Sequence, residues 1–261
     1  MIQVLGYDFF CLGKKYLVFN LVGRNLKIKY RRSVLGFFWT ILTPMAMTAV
    51  YYFVFSSVLK VKTPYHHVFL LAGVMHWSFV SQSILEGMES IVGSAGLVTK
   101  VPVPLQVFPM VGSVTNFITL LLSMPVLFGV AMLSGVPFSS SVILLPFYWS
   151  FLFLMVYGLS IVLAYSFVLF RDLRHIMSIG MTIWLYATPV VYDETMIPPK
   201  YGWILYVNPF GLLFSHLHSI LIRGEWPHLG QVGFVLTWGL AIVAGALIVQ
   251  RVASKEIVEQ I

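Results

Sequence analysis

Seven histidines, nine carboxylates and a single cysteine are the residues of this chain suited to proton, metal or nucleophilic chemistry. His216 and His218 are two positions apart, which puts them on different faces of a helix. No cysteine or carboxylate lies at ligand spacing beside them. His66 and His67 are adjacent, and His76 stands alone in an apolar run. Polar anchoring at an interface is the expected role of these rings, and no metal site is expected. Cys11 has no partner for an intrachain disulfide. No Ser–His–Asp or Cys–His grouping stands out, so no catalytic residue is assigned. A phosphate-cradling loop needs G-x-x-x-x-G-K-[ST]. Gly13-Lys14-Lys15 lacks the hydroxyl residue and the stretch 93–100 has the wrong spacing, so no ATP site and no cofactor is expected in the chain itself.

The elements that carry these residues follow from composition. Of 261 residues, 59% are hydrophobic and 10% charged, and the mean hydropathy is +0.91. Soluble domains carry about 25% charged residues. A soluble core of this length cannot hide so much apolar surface, because most residues of a globule still touch water. The class is all-α and polytopic in a membrane. The net charge of +7 is explained by basic residues beside apolar spans, where they meet anionic headgroups and fix topology.

A spanning helix needs roughly 20 mainly apolar residues. Six stretches are expected to span: 36–59, 68–85, 107–133, 142–170, 176–191 and 231–249. Glu86, Glu89, Asp172, Asp193, Glu194 and Glu225 all fall at span ends or in loops. An ion-coupled transporter usually keeps ionisable groups inside its spans. Uphill transport by this chain would therefore draw its energy from elsewhere. With six spans both termini share one side. If that side is cytoplasmic it holds Lys14, Lys15, Arg24, Lys27, Lys29, Arg31, Arg32, Lys100, Arg171, Arg174, Arg251 and Lys255. The other side holds Lys60, Lys62, Lys200 and Arg223. Twelve against four places both termini in the cytoplasm.

Two segments depart from an up-and-down bundle. Residues 18–32 read as an amphipathic helix along the membrane, with Arg24, Lys27 and Arg31 on one face and Val22, Leu26 and Tyr30 on the other. By pattern alone it is either a lipid anchor or a docking helix for a partner. Residues 196–223 open on Pro198-Pro199 and break at Asn208-Pro209, a turn signal. Each half is too short to cross, so a re-entrant helical hairpin is expected, and irregular backbone at that depth must be covered by protein or line a cavity. Aromatic residues are abundant. They fit an interfacial belt, and they also fit rings that line a passage and stack on sugar faces. Tyr51, Tyr52, Phe55, Trp77 and Tyr148 are the candidates for such a lining.

With its segments in this order the chain resembles the permease subunit of type-2 ABC exporters, the polysaccharide and O-antigen exporter family. The resemblance runs through Lys29-Tyr30-Arg31-Arg32-Ser33-Val34-Leu35-Gly36 with Trp39 and Pro44, then Leu71-Ala72-Gly73 with Trp77. It continues in Lys100-Val101-Pro102-Val103-Pro104-Leu105 with Pro109, Phe170-Arg171-Asp172-Leu173, Thr188-Pro189-Val190-Val191-Tyr192 and Asn208-Pro209. It implies a homodimer with two separate ABC ATPase subunits, which bind ATP and Mg, and an undecaprenyl-linked polysaccharide as cargo. It also implies that 18–32 is an interface helix against the ATPase and that the loop 86–100 holds a coupling helix. Arg24, Lys27, Tyr30, Arg31, Glu86, Glu89 and Lys100 are then the ATPase-coupling candidates. The hairpin, with Pro198, Pro199, Asn208 and Pro209, becomes a periplasmic gate. The neighbouring alternatives are export of capsule, teichoic acid, or a drug or lipid; an intramembrane enzyme acting on a lipid carrier is a separate class.

Overall fold

The computed structural model describes residues 9–31, 35–61, 63–98 and 103–258. In a bilayer every backbone N–H and C=O must find a partner within the protein, and the described chain is accordingly helical. After a 3-10 turn at Leu12–Lys14, α1 covers Lys15–Tyr30. The first long apolar helix is Gly36–Val58; its α-helical part, α2, is Trp39–Tyr52, and it ends in a π turn at Phe53–Val58. α3 covers His66–Gly93 and is followed by the single turn α4, Ala95–Val98. α5 is Val107–Leu133 and runs on through Pro125. α6 is Leu145–Leu169, entered from a 3-10 turn at Ser140–Leu144, and α7 is Leu173–Ala187. α8 (Ile204–Val207) and α9 (Gly211–His218) follow, and α10 closes the chain over Leu229–Val258.

Among the described residues five helices are long and apolar enough to cross a membrane: Gly36–Val58, His66–Gly93, Val107–Leu133, Ser140–Leu169 and Leu229–Ala253. A bent pair, Pro199–Val207 with Gly211–Arg223, turns through 104° at its break and raises the number to six if it counts as one span. The fold is a polytopic all-α membrane protein with a re-entrant pair before its last helix. α7 departs from the expected span at 176–191. It starts earlier and stops at Ala187, and its 15 residues rise only about 22 Å at 1.5 Å each. Pro189 is the reason, since it forces Thr188 into an extended conformation (φ −107°, ψ 141°) and can donate no amide.

The second span also outruns expectation. α3 continues past Glu86 and Glu89 to Gly93, so both glutamates sit on its last turns rather than in a loop. At 28 residues it is about 42 Å long, and that excess carries its end out of the hydrocarbon.

α3 is the axis of the subunit. It packs against α5, α6 and α2, while α10 lies on α6 and α1 on α5. Within its most apolar window α3 is 78% buried, against 11% for the first apolar helix, which stays peripheral. Small residues allow the approach of α3 and α6. Ser160 donates to Ser83 O at 3.1 Å, and a Cβ on Gly87 would sit 2.7 Å from that of Ser160. Apolar packing forms two clusters along this axis. One joins the first half of α3 to α6, α9 and the segment at Val190-Val191. The other joins Val18 and Val22 of α1 to Ile91, Val107, Val111 and Tyr157. Tyr157 also donates to Phe9 O at 2.6 Å and so ties down the segment before α1.

Gly73 is the tightest point of the axis. A Cβ there would lie 2.0 Å from Val190 O and 3.2 Å from His218 Nε2. We expect Gly73→Ala to destabilise the permease by about 1–3 kcal/mol, the range for overpacking a filled core. Gly129→Ala in α5, where nothing lies within 4 Å, should melt like the wild type in a thermal-unfolding assay in detergent.

Candidate functional site

Polar side chains collect at the two ends of α3, with the apolar clusters between them. At the α1 end, Lys29 reaches from the last turn of α1 and donates to Asn116 Oδ1 at 2.9 Å and Gln82 Oε1 at 3.4 Å. Asn116 in turn donates from Nδ2 to Glu86 Oε2 at 2.8 Å, and Lys29 Nζ lies 4.0 Å from Glu86 Oε1. Asn116 is buried although it sits well inside an apolar helix. Three helices, α1, α3 and α5, therefore meet in one hydrogen-bonded cluster. Above it, between α2, α3 and α5, is a cavity of about 230 Å³ with Thr40, Thr43, Ser78, Thr119 and Ser123 on its wall. One turn further along α3, Arg174 of α7 pairs with Glu89 at 2.6 Å.

The coupling candidates divide around this cluster. Glu86 belongs to it, and Glu89 holds α7. Arg24, Lys27 and Arg31 are exposed, as a surface meeting lipid headgroups or a partner requires. Val18 and Val22 of the same helix are buried against α5 and α6. Tyr30 ends α1, but its side chain is outside the described residues, as is all of Lys100.

At the other end the hairpin is fastened by polar contacts where its backbone is irregular. Asn208 stands at the elbow. It accepts from Trp184 Nε1 at 2.8 Å and from the Phe210 amide at 3.0 Å, and donates to Thr188 Oγ1 at 2.8 Å and Ala187 O at 3.0 Å. One side chain thus closes both the elbow and the frayed end of α7. The far limb, α9, continues through a π turn to Arg223 and stops at Gly224, whose φ of +67° favours glycine. Arg223 donates to Asp193 Oδ2 and Glu194 Oε1, both at 3.0 Å, lies 3.2 Å from Glu225, and also bonds Ser219. Ser215 donates to Glu194 as well. Pro198 and Pro199 are exposed at the entry to the hairpin, and Pro209 is half-buried beside Asn208.

The buried histidines join these elements. His76 donates from Nδ1 to Ala72 O at 2.7 Å and accepts at Nε2 from Trp149 at 2.9 Å. His216 lies 3.0 Å from Tyr148 Oη and 3.1 Å from Gln231 Oε1, which links α9 to α6 and α10. His218 stacks on Phe69 with centroids 3.7 Å apart. Among the described residues no group of three or more His, Cys, Asp or Glu is placed to hold a metal ion.

The five ring candidates separate in the same way. Trp77 and Tyr148 are buried inside the subunit: Trp77 packs edge-on to Phe214 at 6.0 Å, and Tyr148 bonds His216. They hold the hairpin to α3 and α6. Tyr51, Tyr52 and Phe55 lie at the far end of the first apolar helix, where Tyr52 is 42% exposed. Lys29, Gln82, Asn116, Arg174, Trp184 and Arg223 were not singled out from sequence. The signal for the first three is Asn116 itself, since a polar side chain in an apolar span needs a partner.

Residues 16–222 match the family model described as ABC-2 type transporter. The chain belongs to that family. It is homologous to O-antigen export permeases. It is 33% identical over 235 residues to the O-antigen export system permease protein RfbA of Myxococcus xanthus, with 87% of this chain and 90% of the relative covered. Two RfbA proteins of Klebsiella pneumoniae are each 28% identical, over 233 residues (87% of this chain, 90% of the relative) and 209 residues (80% and 81%). In this ABC-2 permease the matched region takes in α1, the polar cluster, the axis and nearly all of the hairpin.

Asn208→Ala would leave the Trp184 indole, the Ala187 carbonyl and the Phe210 amide short of a partner in a buried place. The expected loss is about 1–3 kcal/mol, the cost of stranding buried polar groups. It should be read as a lower melting temperature together with new protease cleavage between 188 and 211.

Proposed function

We propose that this chain is the channel-forming permease subunit of an ATP-driven exporter, moving lipid-linked polysaccharide of the O-antigen kind out of the cytoplasm across the inner membrane. The observation that carries the reading is the homology, over 87% of the chain, to permeases named for O-antigen export. The distribution of charge supports it. The carboxylates placed along the helices, Glu86 and Glu89, stand on the last turns of α3, and Asp193, Glu194 and Glu225 gather around Arg223 outside the long spans. Among the described residues the long spans hold no buried carboxylate to carry a coupling ion. The driving energy then enters through a separate ATPase.

In this reading two copies of the permease pair, and two ABC ATPase subunits bind beneath them with ATP and Mg. Both termini are cytoplasmic, so the exposed Arg24, Lys27 and Arg31 of α1 face the ATPase or the phosphates of the lipid carrier. The segment around α4 supplies the coupling helix. Closure of the ATPases favours one permease state only if the contacts differ between states, and α1 and α4 are the surfaces that make those contacts. The hairpin with Pro198, Pro199, Asn208 and Pro209 is the periplasmic gate. Tyr51, Tyr52 and Phe55 are the rings left to line a passage: Tyr52 is the exposed one, pairing an apolar face with a hydrogen-bonding tip, and the half-buried Tyr51 and Phe55 flank it.

Loss of the chain should leave lipid-linked glycan accumulating at the cytoplasmic face, and the complex in vesicles should move that glycan on ATP. A complex that moves a drug or a free lipid but not the glycan would overturn the choice of substrate. Changing Arg24, Lys27 and Arg31 together to Glu should abolish export while the permease still inserts. The measurement is transported glycan against ATP hydrolysed, and normal ATP-driven export by the triple variant would discard the docking role of α1.

A further inference from the structure

A push on α1 reaches the spans only through what α1 is bonded to. We propose that Lys29 is the positioning residue of this coupling: its ammonium latches α1 to Gln82 and Glu86 of α3 and to Asn116 of α5, so that the spans follow α1 while the latch holds. The proposal rests on the exporter reading and names a part of its transmission.

The geometry makes the latch a relay rather than a set of independent pairs. Lys29 donates to the carbonyl of Asn116 at 2.9 Å, and the amide of the same Asn116 donates to Glu86 at 2.8 Å. The asparagine thus hands the ammonium charge on to the carboxylate, and a charge-assisted bond at one end polarises the other. Asn116 is 2% exposed. If Lys29 withdraws, a buried carbonyl loses its donor, which costs the desolvation of that group as well as the bond. The latch therefore resists gradual stretching and favours being either made or broken.

Its position gives it leverage. Arg24 and Lys27 on the same helix point away to the exposed side, so one face of α1 is available to a partner while Lys29 grips the bundle. Few residues separate Tyr30 from the 3-10 turn at Gly36–Phe38 that opens the first apolar helix. α1 also packs on that turn, so a shift of α1 bears on the helix it opens, which is only 11% buried over its most apolar window and so the least restrained of the five. With the latch made, α3 and α5 move with it. With the latch broken, it moves alone and parts from α3 and α5 at the cavity they share.

That cavity is built to take up the change. Thr40, Ser78, Thr119 and Ser123 each donate their hydroxyl to a carbonyl three or four residues back in their own helix. The oxygens of Thr40, Ser78 and Ser123 keep lone pairs toward a space of about 230 Å³ that Lys29 also lines. Water entering at that rim finds partners at once, so separation there does not strand polar groups.

The test uses the permease with its ATPase in vesicles, comparing Lys29→Met, Lys29→Arg and Glu86→Gln. Lys29→Met should lower glycan exported per ATP by about fivefold or more, the low end of coupling between distinct sites, while ATP hydrolysis continues. Lys29→Arg should keep most of the ratio. Glu86→Gln, a change at a half-exposed position, should lower it in the same direction and covers the case in which Lys29→Met fails to assemble. On the permease alone, the melting shifts of Lys29→Met and Asn116→Leu should be non-additive when combined. An unchanged export ratio in Lys29→Met or Glu86→Gln, or additive melting shifts, overturns the latch and leaves the exporter reading standing. A wild-type complex that moves no glycan on ATP, with the melting cycle still non-additive, overturns the exporter reading and the coupling role with it.

Discussion

In the core of a bilayer no water stands ready to pair with a bare carbonyl or amide, and each one left unpaired costs on the order of several kcal/mol. The irregular stretch around the re-entrant pair bears the mark of that constraint. From Ala187 to Gly211 the α-helical ladder is replaced by irregular backbone and two 3-10 turns, Glu194–Met196 and Pro199–Tyr201, with only the short α8 before the Asn208-Pro209 elbow, and side chains take the place of solvent. Asn208 serves the Ala187 carbonyl and the Phe210 amide together. Trp238 of α10 donates to the Tyr206 carbonyl at 2.8 Å. The break in the re-entrant pair is tolerable because α7, α9 and α10 bring donors and acceptors to it.

The same constraint fixes how the subunit is built. Apolar association gives little drive between helices already in lipid, so small residues and interhelical hydrogen bonds decide which helices stay together. α3 meets both conditions along its length. Gly73 lets the Val190 carbonyl and the His218 ring come within contact, and Gly87 admits Ser160. His76 binds Trp149 of α6. The first apolar helix has little of this, and it remains at the periphery. The contrast sets a well-knit α3–α5–α6 unit against a loosely held outer helix that continues from α1.

Much of the architecture is legible in the sequence, because runs of apolar residues long enough to cross a bilayer have few other uses. The re-entrant pair is legible for the same reason in reverse: its halves are too short, and Asn208-Pro209 marks the turn. The limits of two helices differ from those of the expected spans for identifiable physical causes. Apolarity carries on through Thr188-Pro189-Val190-Val191, yet the proline ends α7 whatever the hydropathy says. Glu86 and Glu89 look like a span end, yet a helix leaving the membrane has no reason to stop at a charge. Lys29 enters the sequence reading only as a cytoplasmic charge and a motif residue, because the spacing of Arg24, Lys27 and Arg31 draws attention to another face of α1. Its partners Gln82 and Asn116 are far away in sequence, and only the packing of α1 on α5 brings them together. Trp77 and Tyr148 look like lining residues until the hairpin folds back over α3 and α6, which no local pattern announces.

The hairpin's fastenings also limit what it can do as a gate. Asn208 ties it to α7, His216 to α6 and α10, His218 to α3 through Phe69, and Arg223 to Asp193 and Glu194. A flap that swung out alone would break all of these at once and strand several buried polar groups. Close-packed interiors respond to force by moving as bodies rather than by bending continuously. If the hairpin gates as proposed, its opening requires displacement of the unit that α3 organises, and α3 is also the helix that carries Glu86 and Glu89 at its other end. A single long helix, held by the Lys29–Asn116–Glu86 cluster at one end and by ring contacts and close backbone packing against the hairpin at the other, links the two ends of the subunit.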